Sequence, residues 1–259
     1  MNRNGVKWNR DETILAFDLY CRIPRSKISQ KHPEIVDLAE LLGRTPGSVA
    51  LKMFNLGHYD PELQKRQLQS MSHGSKLDGE IFTEFSKDWE ELSYNAQMIR
   101  ARMQHVDLES VLDINDLEEI PAGEYKELLM KQRVGQYFFR FSVLSAYENR
   151  CCITGLAKPE LLIASHIKPW KDSDAKTERT NPSNGLCLNS LHDRVFDRGL
   201  ITLDDKYRVI ISPQLKNIEM DSVTYDWLMS YEHKQIVLPE KFLPDKKFIE
   251  YHNDFVYKR

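Results

Sequence analysis

The sequence predicts an α+β protein with a helical N-terminal domain and a mixed C-terminal domain. Residues 8–60 carry apolar side chains at helical spacing, whereas residues 160–211 contain short apolar runs bounded by loops, as strands do. An acidic stretch separates the two patterns. We therefore predict a helical domain over 1–105, an acidic connector over 106–130 and a mixed domain over 131–259.

The composition excludes several classes of protein. The chain has 259 residues, 41% hydrophobic and 29% charged, with a net charge of −3, which is typical of a globular protein and not of a disordered one. No apolar run approaches the roughly 18–20 residues that a membrane span needs. The N-terminus lacks the apolar core of a signal peptide, so we expect a cytoplasmic protein without a membrane partner. The near-neutral charge argues against an indiscriminate polyanion binder but does not exclude nucleic acid.

Three helices are predicted in the first 60 residues. The first covers residues 11–20, and the second begins at Pro33 and stops at Gly43. Thr45 and Pro46 supply a cap and a first-turn proline for the third. Two helices joined by a short turn that contains Gly form a helix-turn-helix layout. A further helix is expected around the sequence IFTEFSKDWEEL.

The C-terminal domain is predicted to follow the order strand, loop, strand, short helix. A helix over 137–147 precedes the strand-like run ELLIASHI, and a polar loop leads to the apolar GLCL. A helix over 189–197 and a hairpin made of LITL and YRVII come next. This order can bring side chains from a strand end and from a helix to one point.

Three polar residues occupy that point. His166 ends the first strand, Asn184 lies in the turn before the second, and His192 stands on the following helix. Hydrolysis of a phosphodiester needs a base, a cation for the leaving oxygen and a group that orients the base. An imidazole at 166, an amide at 184 and an imidazole at 192 beside a carboxylate have the chemistry for these tasks.

The stretch NRCCITGLAKPELLIASHIKPW, followed by NPSNGLCLNSLHDRVFDRGLITL, resembles the HNH endonuclease family, which has the ββα-metal fold. The resemblance covers about residues 131–212, and the lead-in KQRVGQYFFRFSVLSAY resembles the bacterial restriction-endonuclease branch. It implies that His166 activates water, that Asn184 orients the site and that His192 binds one divalent metal. That metal is most often Mg²⁺, with Mn²⁺ able to substitute, and the implied products carry 5′-phosphate ends.

The sequence departs from the family pattern in two places. Many members have an acidic metal ligand directly before the first histidine, where this chain has Ser165. A second ligand must then come from elsewhere, and Asp197 and Asp193 are the candidates, although Asp197 is equally well explained as a helix stop that bonds local backbone. The cysteines near the site, at 151, 152 and 187, are too few for a four-ligand zinc site. We therefore expect buried thiols and no structural zinc.

The N-terminal sequences KWNRDETILAFDLY and LAELLGRTPGSVALKMFNL resemble the Myb-like helix-turn-helix group. The resemblance implies that the helix over 46–56 enters a DNA groove, with Arg44, Ser48 and Lys52 near bases or phosphates. A three-helix protein-interaction module is the alternative. In the C-terminal domain, the cations expected to neutralise phosphates are Lys168, Lys171, Arg194 and Arg198.

Two classes of function follow. The first is a metal-dependent endonuclease acting on double-stranded DNA, with a restriction or defence role implied by the resemblance. The second is a non-catalytic DNA-binding regulator that keeps the nuclease fold. The presence of all three site residues favours the enzyme, and an RNA substrate stays open. One such site cuts one strand per visit, so a double-strand break requires a homodimer or two successive encounters.

Overall fold

The computed structural model describes residues 5–66, 74–112 and 124–259. The chain divides into two compact units, Met1–Ser142 and Val143–Arg259. The division falls inside a helix, C-terminal to the acidic connector predicted from the sequence. Residues 113–123 of that connector lie outside the described residues.

The N-terminal unit is helical. Its helices are α1 (Arg10–Arg22), α2 (Pro33–Leu42), α3 (Pro46–Gly57), α4 (Pro61–Lys65), α5 (Lys76–Phe85), α6 (Trp89–Gln104), α7 (Leu108–Leu112) and most of α8 (Glu124–Ala146). Phe17 of α1 lies at the centre of the core, where its ring contacts the rings of Phe82 and Trp89. The apolar faces of several helices therefore share one core.

Capping residues explain the bounds of the first three helices. Asn9 and Glu12 form a reciprocal capping box at the start of α1. Gly43 ends α2 with a left-handed φ of 63°, and the Thr45 side chain accepts a hydrogen bond from the Ser48 backbone N–H to begin α3. The three helices predicted from the sequence are confirmed.

Two helix predictions are corrected. The stretch around IFTEFSKDWEEL is divided between α5 and α6, because Asp88 caps a new helix with its side chain. The helix predicted over 137–147 begins at Glu124. Residues 124–136 are rich in Glu, Lys, Leu, Gln and Met, which have high helix propensity and extend α8 toward its N-terminus.

Arg44 and Lys52 lie in the interior of the helical unit. The Arg44 guanidinium is 2.8 Å from a Glu12 carboxylate oxygen, and the Lys52 ammonium is 2.5 Å from Asp78. Each of the four side chains is at most 5% exposed, and Trp8 lies against both cations. The expectation that Arg44 and Lys52 contact DNA is therefore corrected, because both cations are paired in salt bridges inside the helical unit.

The C-terminal unit is built on two small antiparallel sheets. β1 (Leu162–His166) pairs with β2 (Gly185–Asn189), so that His166 lies opposite Gly185. β3 (Ile201–Leu203) pairs with β4 (Val209–Ile211). The helices are α9 (Ser190–Asp197), α10 (Pro213–Lys216), α11 (Ser222–Met229) and α12 (Lys246–Phe255). The predicted order strand, loop, strand, helix, hairpin is confirmed.

Gly199 ends α9 at a place that only glycine fits. Its φ is +68°, and a Cβ added there would lie 1.9 Å from the backbone oxygen of Val256. The Gly199 N–H donates to the Phe196 carbonyl and the Leu200 N–H to the Val195 carbonyl, which closes the last turn. This turn sends the chain from α9 into β3.

Candidate active site

His166 is half-buried at the end of β1. Its Nε2 lies 2.8 Å from the carbonyl oxygen of Arg179. A carbonyl only accepts, so Nε2 carries the proton and Nδ1 holds the lone pair of the neutral ring. Burial lowers the pKa of His166, although the bond to Arg179 opposes the shift. The ring is therefore a neutral base at physiological pH, and the Trp170 indole meets it edge-on at 5.6 Å.

Asn184 is fully buried and joins the loop between the strands to the start of β2. Its Oδ1 accepts a 2.8 Å hydrogen bond from the Lys168 N–H. Its Nδ2 lies 3.2 Å from the Lys168 carbonyl, 3.3 Å from the Glu178 carbonyl and 3.3 Å from Ser173 Oγ. One amide thus holds both ends of the loop from Lys168 to Glu178, which follows His166.

His192 lies in the first turn of α9 and is 1% exposed. Its Nδ1 is 3.2 Å from Oδ1 of Asn189, which also accepts hydrogen bonds from the Leu191 and His192 backbone. Since Asn189 Oδ1 is an acceptor, Nδ1 carries the proton and the Nε2 lone pair is the one suited to a metal. Burial lowers the pKa of His192 to about 4, which keeps the ring neutral.

Two aromatic rings cover His192. The Trp227 ring on α11 lies 5.0 Å away and the Tyr231 ring 5.4 Å away, both near perpendicular to the imidazole. Sequence reasoning missed these two residues and Asn189. The position of Asn189 directly before a helix is an N-cap signal that could have identified it, whereas nothing in the sequence links Trp227 or Tyr231 to a histidine more than 30 positions earlier.

Ser165 and Asp193 connect the strand end with the first turn of α9. Burial raises the pKa of Asp193, and the nearby Ser165 hydroxyl opposes this shift without forming a hydrogen bond of ordinary geometry. Burial also raises the pKa of Asp197, and the neighbouring Asp193 carboxylate raises it further. The residue before His166 and the residue after His192 are thus neighbours, with Asp197 one helical turn further along.

Asp197 makes no hydrogen bond to local backbone within the part of the chain that the structure describes, and Gly199 supplies the helix stop instead. His192, Asp193 and Asp197 offer one imidazole nitrogen and two carboxylates. Among the described residues, no group of three or more His, Cys, Asp or Glu is arranged to enclose a metal ion. Mg²⁺ and similar ions are commonly held by one or two carboxylates together with waters and substrate phosphates, and this donor set fits such a partial site.

The other residues predicted to bind nucleic acid differ in exposure and in whether their charge is already paired. The Lys168 ammonium is 2.6 Å from Glu178, so its charge is already paired within the unit. Arg194 and Arg198 are exposed on and just after α9, and Ser48 is half-exposed on α3. Cys151, Cys152 and Cys187 are buried free thiols, and burial raises the pKa of Cys152 well above its ordinary value.

The two paired strands and the short helix form a ββα unit of the nuclease type. It carries an imidazole at the strand end, a buried amide in the loop and a second imidazole on the helix. The family model described as HNH endonuclease matches residues 151–204, which contain all three side chains. This segment is an HNH endonuclease domain, and the match covers about a fifth of the chain. No curated protein matches the chain. In the described parts of the chain, no helix is long and apolar enough to cross a membrane.

Proposed function

We propose that this protein is a divalent-metal-dependent endonuclease that hydrolyses phosphodiester bonds of double-stranded DNA. The observation that carries the proposal is the state of His166. Its Nε2–H is committed to the Arg179 carbonyl, its pKa is lowered, and its basic Nδ1 belongs to a neutral ring at the strand end of an HNH domain. This is the arrangement that a general base requires.

The neighbouring residues act on that base and on the substrate. Asn184 holds the segment after His166, so that the imidazole and the Arg179 carbonyl keep their relative positions. His166 takes a proton from the attacking water at Nδ1. Arg194 and Arg198 are exposed cations that bind phosphates flanking the scissile bond.

His192 through Nε2, with Asp193 or Asp197, would hold the divalent ion. When bound, the ion would stabilise charge on the leaving oxygen. Asp193→Asn and Asp197→Asn, each titrated with Mn²⁺ by electron paramagnetic resonance, identify the second ligand, because the substitution at the ligand weakens Mn²⁺ binding. Equal Mn²⁺ affinity in wild type and both variants would contradict this ligand set.

A plasmid cleavage assay tests the function. We expect wild-type protein to cut with Mg²⁺ or Mn²⁺ and not with EDTA, and His166→Asn to lose cutting by at least about 100-fold, as removal of a general base does. His233→Asn is the matched control, since His233 is exposed and its left-handed φ of 61° suits Asn. His166→Asn should melt within a few degrees of wild type, because the half-buried ring is replaced without opening a core cavity.

Two outcomes would separate the alternatives. Gel shifts without cleavage under any metal condition would favour a non-catalytic DNA-binding regulator. Cleavage of RNA in place of DNA would overturn the substrate assignment.

A restriction or defence role is part of the proposal, and comparing methylated with unmethylated plasmid tests it. A homodimer is expected if double-strand breaks form without nicked intermediates.

A further inference from the structure

The helical unit contains an open cleft between α1, α2, α6 and α8. Its volume is about 990 Å³, at the upper end of the range for small-ligand sites. The charged residues that line it are Asp18, Arg22, Glu34, Asp37, Arg100, Arg133 and Arg140. Four arginines thus face three carboxylates in one cleft.

Arg22 and Arg100 differ in how the described residues hold them. Arg22 is held by Asp18 at 2.8 Å and by Glu34 at 2.9 Å. Arg100 makes no hydrogen bond or ion pair within residues 5–66, 74–112 and 124–259, and it is half-buried. Burial lowers the pKa of Arg100 and Arg22 lowers it further, against the raising effect of the carboxylates of Asp18, Glu34 and Asp37. A guanidinium in this position gains from an anion that donates nothing and accepts two hydrogen bonds.

The cleft also holds polar atoms that need a partner. Asp18 Oδ1 and Ser93 Oγ are buried without a hydrogen bond among the described residues, and both side chains line the cleft. Asp18 is 2% and Ser93 1% exposed. A buried carboxylate oxygen in this state is satisfied by an N–H or O–H donor of a ligand.

An aromatic surface adjoins these groups. Tyr137 lines the cleft, is 63% exposed and lies 4.3 Å from the ring of Phe141, which is 37% exposed. Exposed aromatic rings beside cations are the usual platform for stacked nucleobases. By contrast, Lys52 is the only Lys or Arg of α3 and is buried, so the exposed face of that helix has no cation for a phosphate.

We propose that this cleft binds a nucleotide unit, with its phosphate on Arg100, its base stacked on Tyr137 and an amino or hydroxyl donor on Asp18. The nucleotide is either free or part of a single strand, since both present the same phosphate and base. The proposal is separate from catalysis in the HNH domain, because it concerns binding alone.

Fluorescence anisotropy of the full chain in EDTA tests it, with a labelled single strand of about 12 nucleotides as the probe. Arg100→Gln should weaken binding at least about tenfold, because it removes a charged hydrogen-bond donor to the phosphate. Tyr137→Leu should weaken it several-fold. Arg102→Gln is the matched control: Arg102 lies on the same helix, is exposed and pairs with Asp11.

Competition identifies the source of the nucleotide. Displacement of the probe by AMP, but not by inorganic phosphate, would assign a free nucleotide, and displacement by unlabelled strand alone would assign nucleic acid. Equal affinity of Arg100→Gln and wild type, an equal loss in Arg102→Gln, or no binding of strand or AMP by wild type would overturn the proposal. The measurement is made without metal and reads binding alone, so failure of the nuclease assignment leaves this result unchanged.

Discussion

Replacing Asn184 with Asp should destabilise the C-terminal unit more than replacing it with Ala, although Asp has nearly the same shape as Asn. The amide nitrogen faces the carbonyl oxygens of Lys168 and Glu178, which only accept hydrogen bonds. A carboxylate would place a buried negative charge against both oxygens. Ala removes the same hydrogen bonds without adding a charge.

The size of each effect follows from the contacts. Asn184→Ala loses the bond from the Lys168 N–H and the bonds to the two carbonyls, at about 1 kcal/mol each, or about 3 kcal/mol in total. Asn184→Asp keeps the first bond but buries an unpaired charge, a penalty of about 3–5 kcal/mol beyond the two lost bonds. Asp should therefore be the more damaging variant by at least about 2 kcal/mol.

Urea denaturation followed by circular dichroism measures these differences, with nuclease activity as a second readout. Asn181→Ala is the matched control, because Asn181 lies three residues earlier in the same loop and makes one hydrogen bond to the Ser183 N–H and one to the Thr177 carbonyl. It should lose at most about 1–2 kcal/mol. If Asn184→Asp is as stable as wild type, the orientation of the amide and the reasoning built on it are wrong.

Three further results are expected. Lys52→Met should lower the free energy of unfolding by about 3–5 kcal/mol in urea, because it leaves the buried Asp78 carboxylate without its counter-ion. A loss of DNA binding without loss of stability would contradict this. Burial lowers the pKa of His252 to about 4, so between its ordinary value near 6.5 and pH 4 only the unfolded chain gains the proton. His252 alone should therefore contribute a fall of about 3 kcal/mol in the unfolding free energy over that range, so the profile of His252→Gln should be flatter than wild type by about that amount, whereas identical profiles would refute the assignment. The lowered pKa of His166 places the acid limb of kcat/KM below pH 6.5, and a limb above pH 7 would show that another group is the base.

The local signals in the sequence were sufficient for most of the fold. Apolar spacing together with Gly43 and Thr45 located the first three helices, and the strand and helix that flank the HNH motif fell close to their observed bounds. These features depend on residues within about four positions of one another, where periodicity and capping operate.

The failures arose where a partner was distant in sequence. From the sequence, Lys52 is predicted to be an exposed cation on a recognition helix. In the structure it pairs with Asp78, which lies 26 positions later. Arg44 likewise pairs with Glu12, which lies 32 positions earlier in the sequence. The covering of His192 by Trp227 and Tyr231 is of the same kind. Pairings of this type are decided by tertiary packing, which a local pattern does not encode.

The burial of all four cysteines makes the thiols a reporter of how the chain opens. Cys21 belongs to the helical N-terminal unit, and Cys151, Cys152 and Cys187 belong to the C-terminal unit. A buried thiol reacts with an alkylating reagent only when its surroundings open, so labelling under partial denaturation counts exposed units. A first mass increment of one adduct would show that the N-terminal unit opens first, and a first increment of three adducts would show that the C-terminal unit does. The order in which the two halves lose structure can thus be measured on the native sequence without adding a probe.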